Sequence, residues 1–149
     1  MKLSTKGRYG VRALLDLAIH DDGRPVPLKD IARRQAISVQ YLEQLASPLI
    51  KAGILRSSRG AGGGVNLAKS PDQVRLSQVI EVLEGSTAPV KCVDDPEVCS
   101  LSDLCVTRDV WKEVQKATQR VLESTTLRDL AERQKEKEKG KPGVLSYSI

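Results

Sequence analysis

The chain of 149 residues is long enough for one domain, or for one domain with an appended helix. It contains 24 Lys and Arg, 19 Asp and Glu, and one His. Because it has no Phe, we expect a core of Leu, Val, Ile and Ala. We see no signal peptide and no apolar run that could span a bilayer, so we expect a cytoplasmic protein and exclude a membrane protein. The positive charge lies in residues 1–75, where 13 Lys and Arg face 6 Asp and Glu, which is typical of a half that contacts nucleic-acid phosphates.

Three helices are predicted in the first 52 residues. Apolar residues at helical spacing predict a first helix over 9–19, which stops near Gly23, and a brief second helix over 28–36. Ser38 is placed to cap a third helix that runs to residue 52, contains Pro48 and stops at Gly53. A short helix, a tight turn and a further helix in a basic region indicate a helix-turn-helix.

A β-hairpin is predicted directly after the third helix, with strands over 54–57 and 65–68 and a glycine-rich tip. The glycines do not match a phosphate-binding P-loop, because no Lys-Ser/Thr pair follows them. A hairpin at this point is the wing of a winged helix, and its glycines let the backbone at Arg59 and Gly60 approach a groove closely.

The C-terminal half is predicted to be helical around one long loop. A short helix over 77–83 ends at Gly85, a loop covers 86–106, and a helix over about 107–124 carries an apolar stripe that needs a partner, most naturally a second copy. Thr126 caps a last helix over 127–133, and the alternating charges that follow indicate a solvated linker before an apolar tail over 144–149. The predicted divisions are a winged-helix domain over 1–84, a cysteine loop over 85–106, dimerisation helices over 107–133, and a linker and tail over 134–149.

All three cysteines, Cys92, Cys99 and Cys105, follow one another in the spacing C-x6-C-x5-C. Their odd number argues against a disulfide framework, and three core cysteines would be scattered rather than clustered. Structural zinc sites use closer pairs, so these intervals favour a larger polynuclear group held by thiolates, such as an iron–sulfur cluster. A metal enzyme subunit is the alternative class, but no nucleophile–base pair or nucleotide loop accompanies the cysteines.

Several segments, taken together and in order, resemble the IscR/NsrR/CymR family of bacterial winged-helix regulators over nearly the whole chain. They are MKLSTKGRYGVRALLDLA at the start, LKDIA at 28–32, SVQYLEQL at 38–45, KAGI at 51–54, RGAGGG at 59–64, VIEVLEG at 79–85 and STTL at 124–127. The resemblance implies a mainly α, winged helix-turn-helix repressor with a long C-terminal dimerisation helix. It implies a homodimer that binds a pseudo-palindromic operator in double-stranded DNA and has no enzyme activity.

Within this family the cysteine loop is most similar to that of the IscR branch, where three cysteines and a histidine hold a 2Fe–2S cluster. The resemblance implies that Cys92, Cys99 and Cys105 hold an iron–sulfur cluster, 2Fe–2S with 4Fe–4S as the alternative. It also implies control of genes for iron–sulfur cluster biogenesis. Two alternatives stay open: nitric oxide sensing of the NsrR type, and control of cysteine and sulfur metabolism of the CymR type, whose repressors this chain resembles at its final Tyr-x-Ile.

The fourth ligand does not carry over from the family. Arg108 stands three residues after the last cysteine, where the IscR-type histidine is expected, and Arg8 stands where an NsrR-type carboxylate from the other subunit is expected. Glu97, Asp103 or a small thiol is the remaining candidate. The single histidine, His20, is better explained as a residue at the end of the first helix than as a ligand.

Side chains on the first turns of the third helix are predicted to enter the major groove, as in other helix-turn-helix proteins. Gln40 and Gln44 suit adenine and Glu43 suits cytosine N4, while Arg59 suits a narrow minor groove. The resemblance implies that Glu43 tunes the choice between two classes of site. The predicted DNA-contacting set, with basic residues for phosphates, is Lys2, Lys6, Arg8, Arg34, Ser38, Gln40, Tyr41, Glu43, Gln44, Arg59 and Gly60.

Overall fold

The structure is a computed structural model that describes residues 2–141. The helices are α1 (Thr5–Ile19), α2 (Leu28–Gln35), α3 (Val39–Lys51), α4 (Leu76–Glu84), α5 (Lys91–Asp94), α6 (Val106–Glu123) and α7 (Leu127–Lys139), and the strands are β1 (Leu55–Ser58) and β2 (Gly64–Leu67). The predicted mainly α fold, a helix-turn-helix followed by a two-stranded wing, is confirmed. Within residues 2–141, no helix combines the length and the hydropathy that crossing a membrane requires.

Side-chain caps set the starts of α1 and α3. α1 begins earlier than the predicted residue 9 because Ser4 caps it, its hydroxyl accepting from the Gly7 N–H at 3.4 Å. α2 ends where Ala36 adopts a left-handed conformation with φ of +54°, which turns the chain towards α3. Ser38 caps α3 as predicted, and its hydroxyl accepts from the Tyr41 N–H at 3.1 Å. The turn and both helices are therefore fixed by local contacts.

The wing is attached to the helix-turn-helix at its base. α3 stops before Gly53, whose φ of +75° favours glycine, and the chain then enters β1. β1 and β2 pair antiparallel with Leu55 opposite Leu67, each strand displaced by one residue from its predicted position. Val26, between α1 and α2, adds an antiparallel bridge to Val65 through two hydrogen bonds of 2.9 Å. The hairpin is therefore held by α3 at its base and by Val26 near its turn.

The chain returns from α6 to pack on the winged helix. The Leu127 N–H donates to the Val74 carbonyl oxygen at 3.0 Å, and the Leu127 side chain is fully buried. Thr126 caps α7 as predicted, with its hydroxyl accepting from the Asp129 N–H at 3.2 Å and the Asp129 carboxylate accepting from the Thr126 N–H at 2.9 Å. This reciprocal cap fixes the start of α7, which packs against α1 and the turn at Pro71–Gln73.

α7 continues to Lys139, so the prediction of a linker was wrong for residues 134–139. Charged and polar side chains pair one turn apart along it: Arg128 Nε donates to Glu132 Oε1 at 3.3 Å, and Gln134 Nε2 donates to Glu138 Oε1 at 3.1 Å. Such pairs stabilise a helix that buries little apolar surface. The predicted apolar tail over 144–149 lies outside the described residues.

The hydrophobic core lies almost entirely in the winged helix. Its connected cluster of buried residues runs from Ala13 to Leu83 and is completed by Leu127. α6, which the structure describes in full, buries no apolar side chain, and its one buried residue is Arg108. The winged helix therefore carries its own core, whereas the cysteine segment (residues 85–105) and α6 lie outside it.

Candidate DNA interface and cysteine site

The outer face of α3 presents polar side chains to solvent. Four of the predicted contacts, Ser38, Gln40, Glu43 and Gln44, are exposed on its first turns. The opposite face is buried in the core, which fixes the rotation of the helix about its axis. Gln40, Glu43 and Gln44 therefore lie on the surface that a helix-turn-helix presents to the major groove.

An aromatic cluster joins α1 to α3 beneath this surface. Tyr41 is half-buried, and its ring packs edge-to-face against that of Tyr9, with centroids 6.0 Å apart and planes at 89°. The guanidinium carbons of Arg8 and Arg12 lie 5.7 and 5.2 Å from the centroid of the Tyr9 ring. The basic end of α1 and the start of α3 are therefore one packed unit, in which the ring of Tyr41 has a structural role.

A carboxylate from α4 caps the basic end of α1. The predicted phosphate contacts on this segment are all exposed: Lys2, Lys6 and Arg8. Glu84 Oε1 accepts from the backbone N–H of Ser4 at 2.9 Å and of Gly7 at 3.1 Å, and also from the Ser4 hydroxyl. A carboxylate here satisfies unpaired N–H groups and matches the helix dipole. No local sequence signal indicates this contact, because its partners are about 80 residues apart.

Arg34, a predicted phosphate contact, forms an ion pair with the carboxylate of Asp16. Its Nη2 lies 2.6 Å and its Nε 3.1 Å from Asp16 Oδ1, and Gln35 Nε2 donates to Asp16 Oδ2 at 3.0 Å. Asp16 is 2% exposed, and its hydrogen bond to Arg34 raises the pKa of the guanidinium. We therefore leave Arg34 out of the proposed DNA contacts.

His20 Nδ1 lies 2.8 Å from the Asp16 carbonyl oxygen, as suits a residue at the end of a helix.

The wing places the other predicted contacts at its tip. Arg59 and Gly60 follow β1 directly and are exposed. The Gly63 N–H donates to the Gly60 carbonyl oxygen at 2.9 Å, which closes the turn. Val26 bridges Val65, which lies opposite Ser57 near the turn, so the backbone that leads to Arg59 is held against the segment between α1 and α2.

The three cysteines are free thiols in different surroundings. Cys92 lies half-buried on α5, Cys99 is exposed, and Cys105 is half-buried at the N-cap of α6. The Thr107 hydroxyl, 3.1 Å from Cys105 Sγ, and then the Arg108 backbone N–H hold the pKa of the Cys105 thiol below its ordinary value. The thiolate, which is the form that binds metal, is therefore favoured at the start of α6.

The first half of the cysteine loop is fastened to α6 by two polar contacts. Arg108 Nε donates to the Cys92 carbonyl oxygen at 2.7 Å, and Gln115 Nε2 donates to Asp94 Oδ1 at 3.2 Å. The other Asp94 oxygen accepts from the Ser86 hydroxyl, near the end of α4. α5 therefore bridges the two helices that flank the loop. The sequence predicted an irregular loop here, because four helical residues are too few to show a period.

The second half of the loop folds on itself. The Ser102 hydroxyl donates to the Pro96 carbonyl oxygen at 2.7 Å between two short 3-10 turns. Its apolar side chains face solvent: Val98 is 54% exposed, Leu101 68% and Leu104 89%. Cys99 lies on this self-contained segment, apart from the contacts that hold Cys92.

The donor set fits an iron–sulfur cluster in its chemistry. Three free thiols, one of them with a lowered pKa, are the ligands that such clusters take. In the described part of the chain no three His, Cys, Asp or Glu side chains are grouped closely enough to hold a metal ion. The three thiolates must therefore lie closer together than in this arrangement to share one. Two candidate fourth ligands, Glu97 and Asp103, lie exposed on the segment that carries Cys99, whereas Arg108 is buried against the Cys92 carbonyl.

Residues 3–133 match the family model described as "Rrf2: Iron-dependent Transcriptional regulator". The chain belongs to the Rrf2 family. It is therefore a transcriptional regulator with a DNA-binding winged helix and not an enzyme.

Relatives of this Rrf2-family protein carry different names. It is 46% identical to Protein rrf2 of Nitratidesulfovibrio vulgaris Hildenborough, over 87% of each chain. It is 44% identical to the regulator CymR of Bacillus subtilis, over 88% of this chain and 90% of that one. The solved structure of B. subtilis CymR, described as the global cysteine regulator, matches with a TM-score of 0.75 over 89% of this chain and 98% of that chain, at 41% identity. The structure of T. potens IscR matches with a TM-score of 0.76 over 93% and 91%, at 43% identity. Overall similarity assigns the family and the fold, and the choice between branches depends on the cysteine loop.

Proposed function

We propose that this Rrf2-family protein is a homodimeric repressor of genes for iron–sulfur cluster biogenesis. In this proposal an iron–sulfur cluster, 2Fe–2S with 4Fe–4S as the alternative, is held by Cys92, Cys99 and Cys105. The observation that carries it is the position of three free thiols on one segment continuous with α4 and α6. Glu84, at the end of α4, caps the end of α1 that is proposed to contact DNA. α6 exposes the apolar face that is proposed to form the dimer. The cysteine segment therefore lies between elements of both proposed interfaces.

DNA reading is assigned to α3, the wing and the start of α1. The exposed amides of Gln40 and Gln44 suit adenine, and Glu43 suits cytosine N4 while repelling nearby phosphates. Arg59, exposed at the tip of the wing, is proposed to enter the minor groove beside the α3 site. The remaining contacts are to the backbone, which adds affinity without sequence preference. They come from Lys2, Lys6, Arg8, Ser38 and Gly60.

The proposed dimer forms through α6. Val110, Val114, Ala117 and Val121 follow one another at spacings of four, three and four residues, which is the period of a two-helix seam. Val110 is 52% and Val121 64% exposed in the single chain. A second copy is the occupant that we propose, because a two-fold dimer presents two α3 helices to the two halves of a palindromic operator.

Control of DNA binding is assigned to the contacts between the loop and the DNA face. Cys92 and Cys99 in the loop and Cys105 at the start of α6 would hold the cluster, whose iron–thiolate bonds would join the loop to α6 until oxidation, iron shortage or nitric oxide removed them. Glu84 ends α4, just before the loop, and caps α1, whose Tyr9 packs on Tyr41 of α3. A coupling of about 1–3 kcal/mol along this path is enough to change which sites are bound.

An anaerobic purification with a visible spectrum and iron and sulfide analysis tests the cofactor. We expect absorption bands between roughly 320 and 460 nm with matching iron and sulfide, as thiolate-held clusters show. Cys92→Ala should abolish the bands and leave the far-ultraviolet circular dichroism unchanged, and Ser100→Ala is the matched control in the same loop. A protein that stays colourless after reconstitution with iron and sulfide contradicts the proposal.

A CymR-type role in cysteine metabolism is the second candidate. The 44% identity to B. subtilis CymR favours it. It predicts a colourless repressor that takes up no iron and that responds through a thiol or through a partner enzyme of cysteine synthesis. The Tyr-x-Ile ending that also favours it lies outside the described residues.

A further inference from the structure

Arg108 is the one arginine in residues 2–141 with less than a tenth of its surface exposed, at 8%. It lies in the first turn of α6, and its Nε donates to the Cys92 carbonyl oxygen at 2.7 Å. In the described part of the chain, its guanidinium is in no ion pair with a carboxylate. Burying a cation without a counter-ion is unfavourable, so the site favours an anion beside it.

The hydrogen bond from Arg108 fixes one cysteine relative to another. Cys105 occupies the N-cap position of α6, three residues before Arg108, so the guanidinium joins the Cys92 turn to the first turn of the helix that follows Cys105. Gln115 holds the same turn at Asp94. Residues 95–104, which carry Cys99, make no side-chain or backbone hydrogen bond to α6 among the described residues. Two of the three thiols are therefore placed on a common platform and the third is not.

We propose that Arg108 is a positioning residue of the cysteine site. Its guanidinium holds the Cys92 turn against the start of α6 before any metal binds, and it supplies a buried positive charge to the thiolates of Cys92 and Cys105. In this role Arg108 is a hydrogen-bond partner of the first half of the loop and not a fourth ligand. The role of Arg108 in holding the Cys92 turn does not depend on a cluster, whereas its electrostatic role toward metal-bound thiolates rests on the proposed function.

Two variants separate the hydrogen bond from the charge. Arg108→Gln places an amide Nε2 the same number of bonds from the backbone as the arginine Nε, so it keeps the donor and removes the charge. Arg108→Met removes both. Arg120→Met removes an exposed cation from the same helix and is the matched control.

Hydrogen exchange of the reduced, metal-free full-length protein tests the turn. The reporter is the Asp95 N–H, which donates to the Lys91 carbonyl oxygen at 3.0 Å within α5. We expect residues 91–95 to exchange about ten-fold faster or more in Arg108→Met, because a charge-assisted hydrogen bond is lost, and to stay within about three-fold of the parent in Arg108→Gln. Exchange in 96–103 and in Arg120→Met should not change. Equal exchange of 91–95 in the parent and Arg108→Met overturns the proposed role in the turn.

Loss of iron to a chelator from the reconstituted protein tests the charge. We expect bleaching to be fastest in Arg108→Met, intermediate in Arg108→Gln and slowest in the parent and in Arg120→Met. A Gln variant that bleaches as slowly as the parent overturns the electrostatic part. If the parent takes up no cluster, the proposed function fails, while the exchange experiment still decides the role of Arg108 in the turn.

Discussion

The winged helix and the cysteine segment are held together by different forces. In the winged helix, α1 to α4 and the hairpin share one connected apolar core, with Leu14, Ile31 and Leu49 at 2% exposure or less. The cysteine segment has Arg108, Gln115 and a few hydrogen bonds in place of a core, and it exposes its larger apolar side chains. Burial of apolar area is the dominant stabilising force in folding, and isolated polar contacts contribute little net free energy.

This difference assigns each half a task. The DNA-reading half has the contacts to stay folded whatever the state of the cysteines. The cysteine segment and α6 depend on contacts from outside, which are proposed to be a cluster and a second copy. Regions with few buried contacts open at low free energy and are suited to switching. The predictions below test this division.

Truncation of the core should have the largest effect. Leu49→Ala on α3 is expected to lower the free energy of unfolding by about 2–5 kcal/mol, since it removes a fully buried side chain. Leu104→Ala in the cysteine segment, at 89% exposure, should change it by less than about 0.5 kcal/mol. Urea unfolding followed by circular dichroism measures both, and similar losses would contradict the division into two halves.

The buried ion pair should come next. Arg34→Met removes the guanidinium that pairs with the buried Asp16 carboxylate and leaves it the neutral Gln35 amide as a donor, and we expect a loss of about 3 kcal/mol in unfolding free energy. Arg24→Met breaks an exposed pair with Asp22 and should cost at most about 1 kcal/mol. A destabilised Arg34→Met confirms a structural role, whereas unchanged stability with weaker DNA binding would restore Arg34 as a phosphate contact.

A charge on the proposed α6 dimer seam should weaken the dimer. Val121→Asp places a charge on the apolar stripe and is expected to weaken dimerisation about 100-fold, or ~3 kcal/mol, as measured by sedimentation equilibrium. Gln119→Asp, on the same turn but off the stripe, is the control. A dimer of unchanged affinity in Val121→Asp would place the two-fold interface elsewhere.

The smallest expected effect on stability comes from Glu84, which ends α4 beside the cysteine segment and caps α1. Glu84→Gln should lower stability by about 1 kcal/mol, because the amide oxygen still accepts from Ser4 and Gly7 but no longer offers a negative charge to the α1 dipole. Glu81→Gln, on the exposed face of the same helix, is the control. Thermal unfolding compares them, and equal midpoints would remove Glu84 from the proposed path between loop and DNA face.

Local patterns were enough to predict the winged helix. Helix ends are marked by residues whose capping contacts or backbone conformation are local, so the sequence alone predicts where those helices begin or stop. These residues are Ser38, Gly53, Gly85 and Thr126. The early start of α1 was missed although its Ser4 cap is local, and only the reinforcing contact from Glu84 is distant in the chain. Alternating charge occurs in linkers and in helices with pairs one turn apart, so it could not predict that α7 continues to Lys139.

The site was predictable in its residue types but not in its contacts. The spacing of the cysteines singles out the segment, whereas the half-burial of Cys92 and the bond from Arg108 require α5 to pack on α6. Arg34 was predicted as a phosphate contact because its partner Asp16 is on another helix. Arg108 was recognised as a poor ligand, but its bond to the Cys92 carbonyl could not be predicted, because the two residues belong to different elements.

The central claim is that the state of the cysteines controls DNA binding, and an anaerobic fluorescence anisotropy titration tests it most directly. The probe is a duplex selected from random sequence by the reconstituted protein, and the titration compares reconstituted with chelator-treated protein. The account predicts that the two dissociation constants differ about five-fold or more, and that the difference disappears in Cys99→Ser but not in Ser100→Ala. Equal dissociation constants for both forms of an iron-loaded parent protein would contradict it.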